Sequence, residues 1–345
     1  MAKTINTEAL TRAAVVYDNV LRTLPYQSFL DVSKKLKINI VEVDGEDIII
    51  NKRRKAGIIR AYKPGLTLGD QKELAKFYES KLKPEMVYAE VNDNVTTNNN
   101  KKVLSNAGEP VNHKTKKHPH ELMILSDLAT SFGEDVVDNM FHAQRDEAGK
   151  TAQTSFNGFF HKLNLLITAE EISAAKKNLV TTGAFELAID NPDTSTANYF
   201  RMVNFIKSAH PLLRRGKVIL YAAESPMDFV RDDFRKLVKS HSYPSMEEVV
   251  AKLRSDAKCP QLEIITETSL GTGDQLLLTT PGNLDFGVGK ESDQKFVQVR
   301  YIDKDPNVAQ FWMQAAFDTR INDVHQKLFQ TNEQKNIGLD LAGDY

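Results

Sequence analysis

Three histidines, His113, His118 and His120, crowd into the stretch "HKTKKHPHE". Neutral imidazoles at this spacing could ligate a transition metal. Such a site also needs regular backbone geometry, further ligands and outer partners that orient the rings. A Lys-rich polar loop supplies none of these, and the simpler reading is three solvated side chains. "KRRK", the run Lys52, Arg53, Arg54 and Lys55, could meet phosphate. No aromatic residues interleave with it as stacking on single strands would require. It reads instead as a solvated face or a contact between subunits. "LGTGDQ", Leu270–Gln275, has the wrong glycine spacing for a dinucleotide or phosphate loop. Strands rather than a helix are predicted after it, so no helix N-terminus would hold an anion.

Nucleophiles fare no better. Cys259 precedes Pro260, with His241 well upstream. A reactive cysteine needs a base beside it in space, and a small buried residue is the simpler role. Ser225 and Ser269 lack the context of a nucleophile elbow. Phe311, Trp312 and Met313 read as core or interface packing. An α/β enzyme would have to assemble its site from distant residues such as Asp190, Asp193, His210 and Glu224. No cofactor and no metal are expected.

The 345 residues suffice for one large domain or two ordinary ones. A hydrophobic content of 41% with 26% charged residues supports a buried core. Lys and Arg total 45 against 46 Asp and Glu, so general electrostatic binding to nucleic acid is not expected. The single cysteine precludes a disulfide within the chain. The opening residues lack the apolar core of a signal peptide, and no apolar run is long enough to span a membrane. These features predict a product made in the cytoplasm.

The elements that would position any site follow from periodicity. Helical spacing runs from Thr7 to Leu24, and Pro25 restarts the chain towards Leu36. In "KINIVEVDGEDIIIN" the Asp44-Gly45 pair predicts a hairpin turn between two strands. Gln71–Leu82 reads as a helix. Val91–Lys117 is polar and Asn-rich, and reads as a projecting arm, a binding loop or disorder; if it projects, it would order only against a neighbour. Leu122, Leu125, Leu128, Phe132, Val136, Met140 and Phe141 predict a long helix from Pro119 to Gly149, on the order of 40 Å. A helix with Tyr199, Met202, Phe205, Ile206 and Ala209 on one face is limited by Pro211. "KVILYAAES" reads as a buried strand. Helices over Pro226–Lys239 and Ser245–Arg254 follow, the second with a Ser245/Glu248 capping box. From Leu262 to Ile321 the chain reads as strands.

This order resembles the major capsid protein of tailed bacteriophages, the Johnson or Hong Kong 97 fold, over nearly the whole chain. "NKRRKAGIIRAYKPG" resembles that family's basic, turn-rich segment before its extended loop turns outward. "TSFNGFFHKLN" resembles its Asn/Asp-Gly turn and short amphipathic helix. "LLRRGKVILYAAES" resembles its helix, turn and axial strand. "LLLTTPGNLDFGVG" and "FVQVRYIDKDPNVAQFWMQAAFDTRI" resemble its closing strands. The resemblance implies an α+β fold. It divides the chain into an N-terminal arm (1–37), an extended loop region (38–118) and a peripheral domain with a spine helix (119–165). An axial domain (166–290) and closing strands with a tail (291–345) complete it. The long N-terminal scaffolding segment of some members is not seen.

The function implied is structural: self-assembly through hexameric and pentameric capsomers into an icosahedral head around double-stranded DNA, without sequence-specific binding. Lys52–Lys55 would lie at intersubunit contacts. Scaffolding, portal and decoration proteins are the partners such a subunit would meet, and the virion is its location. An encapsulin-type shell shares the fold and is the alternative within this class.

Overall fold

A computed structural model describes residues 33–54, 75–94, 119–186, 196–239, 242–290, 295–302 and 305–333. The helix expected over Thr7–Leu24, the basic stretch after Arg54, and the polar segment after Asn94 lie outside these residues.

After a helical turn at Ser33–Leu36, β1 (Asn39–Val43) enters a sheet. β2 (Asp47–Arg54) and β3 (Ala75–Leu82) pair with each other in an antiparallel hairpin. β4 (Glu85–Asn94) follows β3 after a short break. The long helix α1 (Pro119–Asn139) leads through a turn to α2 (Phe159–Thr168) and the short β5 (Leu179–Val180). Then come α3 (Asn198–Ser208), α4 (Pro211–Arg215), β6 (Val218–Ala222), α5 (Glu224–Val238) and α6 (Met246–Asp256). The chain closes with β7 (Leu262–Ile265), β8 (Leu276–Thr279), β9 (Leu284–Gly289), β10 (Lys295–Ile302), β11 (Asp305–Ile321) and β12 (Phe329–Asn332).

The strands form two larger sheets. In one the order is β1-β9-β11-β10, with β4 also against β11. β11 is long enough to serve two neighbourhoods. Its Val308–Phe317 half pairs with β4, and its Phe317–Ile321 end pairs with β9. The other sheet has the order β5-β12-β8-β6-β7. All five residues of β6 are buried, because both faces of this sheet are covered. Ile219 and Tyr221 point into a core shared with α1, α2 and the first sheet. Val218, Leu220 and Ala222 point into a second core with α3, α5 and α6. Strand alternation thus divides one apolar run between two cores.

Helices α3, α5 and α6 and strand β6 match the sequence expectations, including the reciprocal Ser245/Glu248 cap. Four expectations are corrected. β1 and β2 do not pair across Asp44-Gly45. β1 pairs in parallel with β9, and Asn39 Nδ2 donates to Asp285 and to the Gly282 carbonyl. The residues read as a helix over Gln71–Leu82 include strand β3. Its partner β2 overrides a modest helical preference. Val91–Asn94 is not loop but the end of β4, paired to β11.

Finally, α1 stops at Asn139, so its 21 residues span about 31 Å rather than 40 Å. Asn139 Nδ2 closes the last turn on the Asp135 carbonyl at 2.8 Å. The chain then folds back: Phe159 N donates to Met140 O (3.1 Å) and Phe160 N to Phe141 O (2.9 Å). Gly158 permits this, since a Cβ there would lie 2.8 Å from the Met140 and Phe141 backbone. Phe141 keeps its core role from a turn. Its ring centroid lies 5.3 Å from Phe159, 5.4 Å from Phe160 and 6.0 Å from Tyr221.

Candidate functional site

The β2–β3 hairpin has two unlike faces. Strand alternation puts Ile48, Ile50, Phe77, Glu79 and Lys81 on one side. Ile48, Ile50 and Phe77 are 45%, 62% and 65% exposed, so apolar side chains occupy the outer face. Asp47, Ile49, Asn51 and Arg53 of β2, with Tyr78, Ser80 and Leu82 of β3, take the inner face. There Leu82 is fully buried. It sits where a Cβ on Gly287 of β9 would be, at 2.8 Å from Leu82 Cγ, so glycine is required for the hairpin root to reach the sheet.

Polar bonds hold the rest of the inner face. Arg320 Nη1 donates to Asp47 Oδ2 at 2.8 Å and Nη2 to Asp285 Oδ2 at 2.7 Å. The Arg320 and Asp285 side chains are 2% and 5% exposed and Asp47 is 45% exposed. Ser80 Oγ donates to the Ile321 carbonyl at 2.8 Å, and Asn51 Nδ2 to the Asn322 carbonyl. Arg53 Nη2 meets Asp323 Oδ1 at 2.7 Å, with its guanidinium 4.0 Å from the centre of the Tyr78 ring. Just past the hairpin, Lys83 N donates to Asp318 Oδ2 at 2.9 Å, and Lys162 Nζ lies 2.9 Å from Asp318 Oδ1. Burial raises the Asp318 pKa, outweighing the stabilising pull of Lys162 and the Lys83 amide.

A second apolar stretch lies on β4, whose Met86 and Tyr88 are 42% and 66% exposed. The opposite side of the same strand pair is core: Val87 opposes Ala315, and Phe311 and Met313 are buried. Phe132 of α1 packs there, 6.0 Å from the Phe317 ring.

The residues singled out from sequence are dispersed. Arg53 is bound within its own chain. Lys52 and Arg54 pair through the backbone with Phe77 and Ala75, and Lys55 lies outside the described residues. His113, His118, Asp190, Asp193 and His241 also lie outside, and His120 opens α1. His210 caps α4, its Nδ1 accepting from Leu212 N at 3.1 Å. Glu224 starts α5. Cys259 is buried, which pushes its thiol pKa up. Among the described residues, no three His, Cys, Asp or Glu side chains gather as a metal site, and no helix is long and apolar enough to cross a membrane. A strand follows Leu270–Gln275. The charge hub at Arg320 has no signature in the sequence. Its partners are far apart along the chain, and "AKFYESKL" carries no clean alternation that would mark the second hairpin strand.

No protein-family model matches the chain, and no curated protein matches it. Solved structures do. The satellite phage P4 procapsid that includes the size determination (Sid) protein aligns with a TM-score of 0.55 at 13% identity, over 92% of this chain and 90% of that one. The capsid of Myoviridae phage XM1 aligns at 0.51 and 8% identity, over 86% and 89%. The chain has the tailed-phage capsid fold. In this chain α1 packs against the β4–β11 pair through Phe132, and β2–β3 pair with each other beside the sheet. A virus-like particle from Pyrococcus furiosus also aligns, with a TM-score of 0.45 at 12% identity over 92% of this chain and 99% of that one.

Proposed function

We propose that this chain is a structural shell subunit, copies of which assemble into the icosahedral head of a tailed bacteriophage around double-stranded DNA. The fold supports this reading, and one observation carries it. The hairpin is fastened to the body through its polar inner face and turns Ile48, Ile50 and Phe77 outward. Clustered exposed apolar side chains of this kind mark interaction surfaces. Symmetric assembly uses the same patch on every copy.

The proposed division is an arm (1–37), an extended loop region (38–118), a peripheral domain (119–165), an axial domain (166–290), and closing strands with a tail (291–345). Hexameric and pentameric capsomers would be the building units, with scaffolding, portal and decoration proteins as partners and the virion as location. In the basic run, Lys52, Arg54 and Lys55 are proposed to meet neighbouring subunits, while Arg53 serves the hairpin's own seat as well. A structural role needs no catalytic residue. Size-exclusion chromatography of the purified protein, with and without a phage scaffolding protein, tests the proposal. Megadalton particles or capsomers are expected, and a small oligomer under both conditions would refute it.

A further inference from the structure

Among the described residues, four polar ties from the hairpin's inner face end on four consecutive residues. Arg320 holds Asp47, the Ile321 carbonyl holds Ser80, the Asn322 carbonyl holds Asn51, and Asp323 holds Arg53. These four residues are themselves braced. Asn322 N donates to the Asn283 carbonyl at 2.9 Å, Asp323 N to Asn283 Oδ1 at 2.9 Å, and Asn283 Nδ2 to the Asp323 carbonyl at 2.8 Å. Arg320 Nε donates to Asn322 Oδ1 at 2.9 Å.

We propose that Arg320–Asp323 is a positioning rail that sets the angle at which the hairpin is presented to a neighbouring copy, with Asp47–Arg320 and Arg53–Asp323 as its two latches. The proposal rests on the shell reading above. One attachment at the root would leave the hairpin free to swing. Asp47 and Arg53 lie six residues apart on β2, about 20 Å between their Cα atoms at ~3.3 Å per residue, and grip rail residues three positions apart; two separated points of attachment define a direction. Hydrogen bonds and ion pairs suit this task because they are directional, whereas apolar contacts slide. The Arg53 guanidinium on Tyr78 joins the outer latch to both strands of the hairpin. The brace at Asn283 keeps the rail from following a moving hairpin.

Angle matters to a closed shell. A swing of about 10° over a lever of about 25 Å, the length of eight strand residues, displaces the tip by about 4 Å. Apolar contacts act within ~4.5 Å, so such a displacement breaks them. A subunit with a loose hairpin would still bind neighbours, at variable angles, and form irregular particles.

The test uses the full chain carrying Asp47→Asn with Asp323→Asn. Asparagine keeps an oxygen for the His325 amide that Asp323 now accepts at 2.9 Å, and removes the charge. Hydrogen exchange in unassembled subunits should be about tenfold faster across Lys76–Lys81 and unchanged at Leu276–Thr279 of β8. Particles assembled under the wild-type conditions should be heterogeneous in diameter by electron microscopy. Wild-type exchange in the hairpin would overturn the proposal, as would faster exchange with particles as uniform as wild type. If the double substitution also loosens β8, Asp47→Asn alone is read the same way, since that side chain is half-exposed. Failure of the wild type to assemble defeats the shell reading instead, while the exchange result still decides whether the latches hold.

Discussion

Truncating Arg320 to alanine removes the hub that joins β11, β9 and the hairpin root. The guanidinium is 2% exposed and its Asp285 partner 5% exposed. After truncation the buried Asp285 carboxylate keeps Asn39 Nδ2, at 3.0 Å, but loses its counter-charge. Breaking one member of a buried pair costs ~3–5 kcal/mol, because the remaining charge is stranded in a poorly solvated site. Asp47 adds little, since half of its side chain already reaches water. For a chain of this length ~2 °C of Tm per kcal/mol applies, so a fall of about 6–10 °C is expected in thermal unfolding followed by circular dichroism. The exposed Lys290–Asp44 pair supplies the control, with side chains 45% and 70% exposed. Asp44→Asn should cost ~0–1 kcal/mol. Combining Arg320→Met with Asp285→Leu should recover most of the loss, as apolar replacement of both partners commonly does. If Arg320→Ala shifts Tm no more than Asp44→Asn, the pair is solvated and the reasoning from burial is wrong.

Other expectations are checked as simply. Burial holds the His142 pKa below its ordinary 6.5. Its contribution to stability is full above that value and is lost as pH falls from there through the lowered folded value. Chemical denaturation at about pH 7 and about pH 5 should show a smaller loss in His142→Phe than in wild type, at up to ~1.4 kcal/mol per pH unit. An equal loss in both removes His142 from the account. Ile50→Ser with Phe77→Ser should leave Tm within about 2 °C of wild type, since surface changes cost little, yet reduce particle yield severely; normal assembly would mean the outer face is not a contact. Cys259 should resist thiol reagents in the folded protein and form no dimer on a non-reducing gel, and rapid labelling would show that its burial is not maintained.

What could be read from the sequence was local. The face of α3, the Ser245/Glu248 cap of α6 and the apolar run of β6 each carry their signal within one element. Pairings that depend on distant partners were hidden. Asp44-Gly45 is a sound turn signal, yet Asn39–Val43 finds its partner in Asp285–Gly289 and Asp47 is drawn to Arg320. The composition of β3 favours a helix, and its partner strand decides its state. The periodicity of α1 continued past Asn139 because Met140 and Phe141 are core residues in a turn. The hairpin seat could not be read at all, since Asp285 and Arg320 become neighbours only where β9 pairs with β11, and Asp47 reaches them only from the hairpin.

Shell assembly is tested most directly by negative-stain electron microscopy of the purified protein, expressed with a phage scaffolding protein. Closed shells of uniform size, or rings of capsomers where scaffolding is limiting, are the predicted result. A dispersed monomer at high protein concentration, with scaffolding present, would contradict it.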